Sequence, residues 1–142
     1  MANMYFIDYE NVGDAAVIGA KTLVPGERIA IFFSKNAKSL TFELWNELVD
    51  CKATKEVKMV EHPGKNALDF QLSSYLGYSI CKYLQIENFV IISKDTGFQT
   101  LIEFWEKERG VKTHLFSTME EALEALTKVE ESGESDSEEN DD

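Results

Sequence analysis

One stretch of the chain, residues 89–98 (Phe-Val-Ile-Ile-Ser-Lys-Asp-Thr-Gly-Phe), constrains the fold more than any other. Its first four residues are apolar, which is typical of a strand buried on both faces. The polar turn that follows cannot continue that strand, and apolar side chains then recur at helical spacing at residues 98, 101, 102 and 105. The stretch therefore predicts a strand, a turn and a helix, with Asp95 near the carboxyl end of the strand. In open α/β sheets, ligands bind at this edge.

The rest of the chain repeats this alternation of strand and helix. Apolar runs predict four further strands, near residues 4–7, 29–33, 57–60 and 111–116. Amphipathic segments predict helices near residues 15–20, 40–48, 66–84 and 118–126. Five alternations favour an α/β fold, a three-layer sandwich with a mostly parallel five-stranded sheet. The alternating fifth strand is expected at an edge of that sheet.

Individual side chains on the predicted helices are assigned by the same spacing. Tyr75 and Tyr78 are expected in the core rather than on a surface that stacks bases. Glu43 and Glu47 lie four residues apart, and we expect them on a solvated helix face.

Charge divides the chain into two parts, a folded domain at residues 1–129 and an acidic tail at residues 130–142. Of the 26 acids, eight lie in the tail, which has neither a base nor an apolar side chain. The domain holds the other 18 acids and all 14 bases, so it is only mildly acidic and a nucleic-acid partner is not excluded. We expect the tail to be disordered, because it cannot offset the entropy of ordering. A basic protein is one partner that such a tail could bind.

The sequence also narrows the cellular setting. No apolar run approaches the roughly 20 residues that cross a bilayer, and the first residues do not resemble a signal peptide. The two cysteines, Cys51 and Cys81, are far apart and lack metal-site spacing. We therefore expect a cytoplasmic protein with reduced thiols and no membrane partner. Whether the chain forms a homodimer is left open.

Three aspartates are expected at one edge of the predicted sheet. Asp8 and Asp95 follow the first and fourth strands, and Asp69 lies near the start of the third helix. Carboxylates that converge repel one another, and Mg²⁺ or Mn²⁺ would relieve the repulsion by taking their oxygens as ligands. Glu10 and Asn11 are candidates to join them. Each aspartate also has a structural alternative, since Asp8 and Asp95 could cap helices and Asp69 could complement a helix dipole.

Basic and hydroxyl side chains are predicted at the same edge. These candidate phosphate-binding residues are Ser34, Lys35, Lys65, Ser93 and Lys94. Lysines there would neutralise phosphates while the carboxylates hold a metal. The alternative is that they are ordinary loop lysines.

At these residues the chain resembles the PIN-like superfamily, and within it the NYN type of ribonuclease domain. The resemblance rests on three segments, residues 6–12 (Phe-Ile-Asp-Tyr-Glu-Asn-Val), 65–69 (Lys-Asn-Ala-Leu-Asp) and 91–98 (Ile-Ile-Ser-Lys-Asp-Thr-Gly-Phe). Together they span about residues 4–116, in the family's order. The family's turn often carries a second aspartate where this chain has Gly97, so a fourth carboxylate is missing there.

The resemblance implies a metal-dependent endoribonuclease that hydrolyses RNA phosphodiester bonds. Asp8, Asp69 and Asp95 would ligate Mg²⁺ or Mn²⁺, and Asn11 would help to position the metal or the scissile phosphate. The alternative is a catalytically weak PIN-like module that binds RNA or a protein partner. A two-component phosphoreceiver ranks third, because no paired acids follow the first strand, although Lys112 near the fifth strand keeps that hypothesis open.

Overall fold

A computed structural model of the chain describes residues 2–34, 41–61 and 65–128, except for the side chain of residue 65. Its five strands are β1 (Asn3–Asp8), β2 (Arg28–Ser34), β3 (Thr54–Val60), β4 (Asn88–Ile92) and β5 (Lys112–Phe116). Its helices are α1 (Tyr9–Val12), α2 (Phe42–Asp50), α3 (Lys65–Lys82) and α4 (Phe98–Arg109), followed by α5 at residues 119–128. The acidic tail predicted at residues 130–142 lies outside the described residues.

All five strands are parallel, in the order β3-β2-β1-β4-β5. The chain thus builds one half of the sheet outward from β1 and then returns to β1 to build the other half. This order has a topological switch point between β1 and β4, where the connections leaving the two strands diverge and open a crevice. The predicted three-layer α/β fold is confirmed, and β5 lies at an edge as its alternating sequence indicates.

Two apolar layers enclose the sheet. On one face, Ile7 and Val90 pack with residues of α2 and α5. On the other face, Phe6 and Ile91 pack with α3 and α4. Residues 88–92 are buried throughout, because β4 is covered on both faces, as the run of apolar residues predicts. The core therefore fixes β1 and β4 side by side at the centre of the sheet.

The segment after β1 differs from the predicted helix at residues 15–20. The chain forms only the short α1 and two 3₁₀ turns, Gly13–Ala16 and Ala20–Thr22. Gly13 and Gly19 have φ values of 80° and 107°, which an α-helix does not accommodate. Alanine content predicted a helix there, but the two glycines end it.

The prediction that Glu47 lies on a solvated face of α2 is wrong, because Glu47 is buried. One of its carboxylate oxygens accepts hydrogen bonds from the backbone N–H groups of Gly19 and Lys21, at 2.7 and 3.2 Å. Glu47 therefore attaches the irregular segment after β1 to α2. The expected placement of Tyr78 in the core is also wrong, because that side chain is 51% exposed.

Candidate active site

Asp8 is the last residue of β1 and its side chain is only 3% exposed. The register that pairs Ile7 with Ile92 places Ser93 beside it, and the Ser93 hydroxyl donates a 2.7 Å hydrogen bond to Asp8 Oδ2. Asp8 precedes α1, but it makes no side-chain capping hydrogen bond of ordinary geometry. The alternative role of a simple helix cap therefore does not explain why this carboxylate is buried.

Burial raises the pKa of Asp8 above its ordinary value, and the negative charges of Glu10 and Asp95 raise it further. The Ser93 hydroxyl and the backbone N–H of Asn11 act in the opposite direction. The negative charge of Asp95 therefore acts electrostatically on Asp8 across the switch point. Such mutual repulsion is the condition that a bound cation would relieve.

Ser93 links Asp8 to the turn that carries Asp95. Its hydroxyl oxygen accepts a 3.0 Å hydrogen bond from the Asp95 N–H while the same hydroxyl donates to Asp8. Asp95 Oδ1 in turn accepts the Gly97 N–H at 2.9 Å, which closes an Asx turn ahead of α4. The N-cap of α4 is Gly97, so the alternative role of Asp95 as that cap is not observed. One serine therefore holds two carboxylate-bearing segments in register.

Asp69 lies in the second turn of α3 and is partly buried. Because α3 follows β3, it begins at the carboxyl edge of the sheet, as predicted. No three His, Cys, Asp or Glu side chains within residues 2–34, 41–61 and 65–128 are grouped closely enough to hold a metal ion. The structure brings Asp8 and Asp95 together, and it does not gather Asp69 into the same cluster.

The other predicted site residues that the structure describes lie at the same edge of the sheet and differ in exposure. Asn11 is exposed on α1, and Lys94 is exposed between Ser93 and Asp95. Ser34 ends β2 and is partly buried. Lys35 and the side chain of Lys65 lie outside what the structure describes, so their predicted contact with phosphate stays a prediction.

The sequence shows no sign of a cluster next to Asp8 in which two hydroxyls, those of Tyr9 and Thr41, share the Asp14 carboxylate. Asp14 Oδ1 accepts hydrogen bonds from the Tyr9 hydroxyl at 2.5 Å and from Thr41 Oγ1 at 2.7 Å. Burial raises the pKa of Tyr9, and its bond to Asp14 adds to the effect. Thr41 also caps α2 by accepting the Leu44 N–H at 3.1 Å. A threonine ahead of an apolar helix was the available signal for the cap, whereas its contact with Asp14 depends on the fold.

Comparison with protein families gives a match over most of the chain. The family model described as PIN domain matches residues 2–115, which include every strand but the last residue of β5. Neither the curated proteins nor the solved structures contain a significant match to the chain. Because the family match covers most of the sequence, from before β1 into β5, the chain belongs to the PIN domain family.

Proposed function

We propose that the protein is a metal-dependent endoribonuclease of the NYN type that hydrolyses RNA phosphodiester bonds. PIN domains are generally nucleases, which supports the class of reaction. The observation that carries the proposal is the arrangement of Asp8, Ser93 and Asp95 at the switch point between β1 and β4. A buried carboxylate beside a second carboxylate is costly for folding alone, and it is useful where a cation or a proton has to be held.

The chemistry of these side chains fits Mg²⁺ or Mn²⁺. Both ions prefer oxygen ligands. Asp8 offers a carboxylate whose pKa is raised mainly by burial and further by the negative charges of Glu10 and Asp95. Asp8 and Asp95 would hold the ion, and Asp69 is the third proposed ligand. When bound, such a metal lowers the pKa of a water molecule and stabilises the developing charge of an in-line displacement at phosphorus.

The side chains and backbone of the chain have defined roles in this proposal. Ser93 orients Asp8 through its 2.7 Å hydrogen bond and fixes the Asp95 backbone through its 3.0 Å bond. Asn11 would help to position the scissile phosphate. Ser34 and three lysines would bind neighbouring phosphates without reading sequence, and those lysines are Lys35, Lys65 and Lys94.

The second candidate function is a PIN-like module that binds RNA or a protein with little or no cleavage. Two observations favour it. Gly97 occupies the position where the NYN-type turn often has an aspartate, and no three-carboxylate group is found in the described part of the chain. RNA binding without hydrolysis would still use phosphate contacts such as those proposed for the lysines.

Two measurements on the purified protein separate these candidates. Calorimetric titration with Mn²⁺ measures metal binding, and a labelled single-stranded RNA reports cleavage with and without Mn²⁺. The nuclease proposal expects both to be positive, and Asp95→Asn to abolish cleavage. Asp50→Asn is the matched control, because Asp50 is exposed at the end of α2 and should leave cleavage unchanged. Asp95→Asn protein that still cleaves RNA with Mn²⁺ would refute the assignment.

The stability of the same variant supplies an independent readout. Removing one charge from a repelling pair relieves strain on Asp8, so thermal stability should hold or rise in Asp95→Asn. A variant that unfolds easily would instead show a structural role for Asp95.

A further inference from the structure

An open groove of about 600 Å³ lies between α3 and the edge strand β3, outside the carboxylate site. Its lining includes Phe70, Tyr75 and Tyr78 on α3, with Val57 and Met59 on β3. Phe70 is 70% exposed and Tyr78 is 51% exposed. Large apolar side chains that cluster at the surface of a folded domain mark interaction sites.

The aromatic rings of this groove are arranged in series along α3. Tyr75 and Tyr78 stack with their ring centroids 5.7 Å apart and their planes 23° from parallel. Phe70 precedes Tyr78 by eight residues, which is about 12 Å along a helix axis. Exposed rings placed in this way are the platforms on which single-stranded nucleic acids stack successive bases.

Positive charge accompanies the rings. Lys58 Nζ lies 4.6 Å from the centroid of Tyr75, and Lys82 Nζ lies 5.1 Å from the centroid of Tyr78. The acid nearest to them, Glu56, is already engaged, since it accepts from the Tyr75 hydroxyl and pairs with Arg28 and, at 3.4 Å, with Lys58. An anionic backbone could therefore follow the groove without meeting an unpaired carboxylate of its lining.

This charge is local, because the other long helices are acidic. α3 carries two bases and one acid, and β3 likewise carries two bases and one acid. In contrast, α2 has three acids and no base, and α4 has three acids and two bases. Residues 119–128 hold three acids and one base. In a chain of net charge −12, the aromatic groove thus lies on elements that attract a polyanion.

One end of the groove lies at the same edge of the sheet as the candidate active site. Phe70 directly follows Asp69 in α3, and this helix begins at the carboxyl edge of the sheet, where Asp8 and Asp95 lie. A strand bound at the carboxylates would reach Phe70 first and Tyr78 two helical turns later.

We propose that the α3–β3 groove binds the single-stranded RNA that flanks the cleavage site. Bases stack on Phe70 and Tyr78, and the phosphates between them contact Lys58 and Lys82. The choice of RNA as the ligand rests on the proposed ribonuclease function, whereas the groove itself needs no metal. A duplex cannot present its bases to these rings, so the groove selects single strands.

The test measures binding without cleavage. Fluorescence anisotropy in EDTA follows a labelled single-stranded RNA of about 12 nucleotides, within the range of known single-strand sites. The double variant Phe70→Ala/Tyr78→Ala removes two stacking rings and should weaken binding by roughly 30-fold or more. Tyr78→Phe retains the ring and should keep the affinity. Phe104→Ala removes a 51%-exposed ring from α4 and should also keep it.

A duplex RNA sharpens the result. Its paired bases cannot stack on the rings, so the native protein and the double variant should bind it equally. Equal affinity of both proteins for the labelled single strand would overturn the inference and indicate that the groove binds a protein partner instead.

The outcomes also separate this inference from the proposed function. If the native protein binds RNA through the groove and cleaves nothing with Mn²⁺, the inference about the groove is supported and the nuclease proposal is refuted. If it cleaves RNA and the double variant binds and cleaves the long strand equally well, the nuclease proposal stands and the groove fails.

Discussion

Replacement of Ser93 by alanine tests whether this hydroxyl controls the charge at the switch point. Ser93 is 2% exposed, and its hydroxyl both donates to Asp8 and accepts from the Asp95 N–H. A hydrogen bond to a charged group contributes about 1.5–3 kcal/mol, and a neutral one about 1 kcal/mol. We therefore expect Ser93→Ala to lower the free energy of unfolding by about 2–4 kcal/mol at neutral pH.

The loss of unfolding free energy in Ser93→Ala should increase as the pH rises. The pKa of Asp8 is already raised in the folded state, so its ionisation destabilises the fold as pH rises through that pKa. The Ser93 hydroxyl lowers the pKa of Asp8, so its removal should raise that pKa further. The destabilisation caused by ionised Asp8 should then be larger at pH values above the pKa. Below the carboxyl pKa of the unfolded chain, Asp8 is protonated in both states, and the loss should shrink to the lower end of the expected range, about 2 kcal/mol for two neutral hydrogen bonds.

The assay is urea unfolding of both proteins between about pH 8 and about pH 3, a range that extends below the ordinary carboxyl pKa of the unfolded chain. Ser79→Ala is the matched control, because Ser79 is fully buried and its hydroxyl has no partner among the described residues. The free energy of unfolding of Ser79→Ala should differ little from that of the native protein, and by the same amount at every pH. A Ser93→Ala loss that is the same at both ends of the range would refute the coupling to Asp8.

Three other outcomes follow from the structure and the sequence. Glu47→Ala removes the acceptor for two backbone N–H groups and should cost about 1–3 kcal/mol in urea unfolding, whereas Glu43→Ala on the exposed side should cost less than about 0.5 kcal/mol. A triple lysine variant should bind RNA more weakly and with a shallower salt dependence; unchanged affinity would make Lys35, Lys65 and Lys94 ordinary surface residues. Deleting residues 130–142, with their eight acids, should tighten RNA binding at low salt and matter less as salt rises; equal affinities would exclude competition by the tail.

The sheet could be predicted from the sequence because its strands carry strong local patterns. The apolar run at residues 89–92 and the polar turn after it define β4 and its carboxyl end without any tertiary information. Parallel pairing then follows from the alternation of strands and helices, and it brings Asp8 and Asp95 to one edge.

Features that depend on how separate segments meet could not be predicted. Glu47 has the spacing of an exposed helical residue, and only the positions of Gly19 and Lys21 bury it. Tyr78 has the spacing of a core residue, but α3 packs on the sheet through Leu68, Leu72 and Leu76 and leaves this ring outside. The role of Ser93 likewise depends on the register between β1 and β4, which no local pattern specifies.

Gly97 limits which side chains the turn after β4 could accept. A Cβ at this position would lie 3.0 Å from Asp95 Oδ1, the oxygen that accepts the Gly97 N–H. Any side chain there, including the aspartate often found in NYN-type turns, therefore crowds the carboxylate beside it. Placing that acid at residue 97 would require the Asp95 carboxylate to shift by a few tenths of an ångström. A fourth carboxylate would therefore change the geometry of one already in the site, and the effects of substitutions at residues 95 and 97 should not be additive.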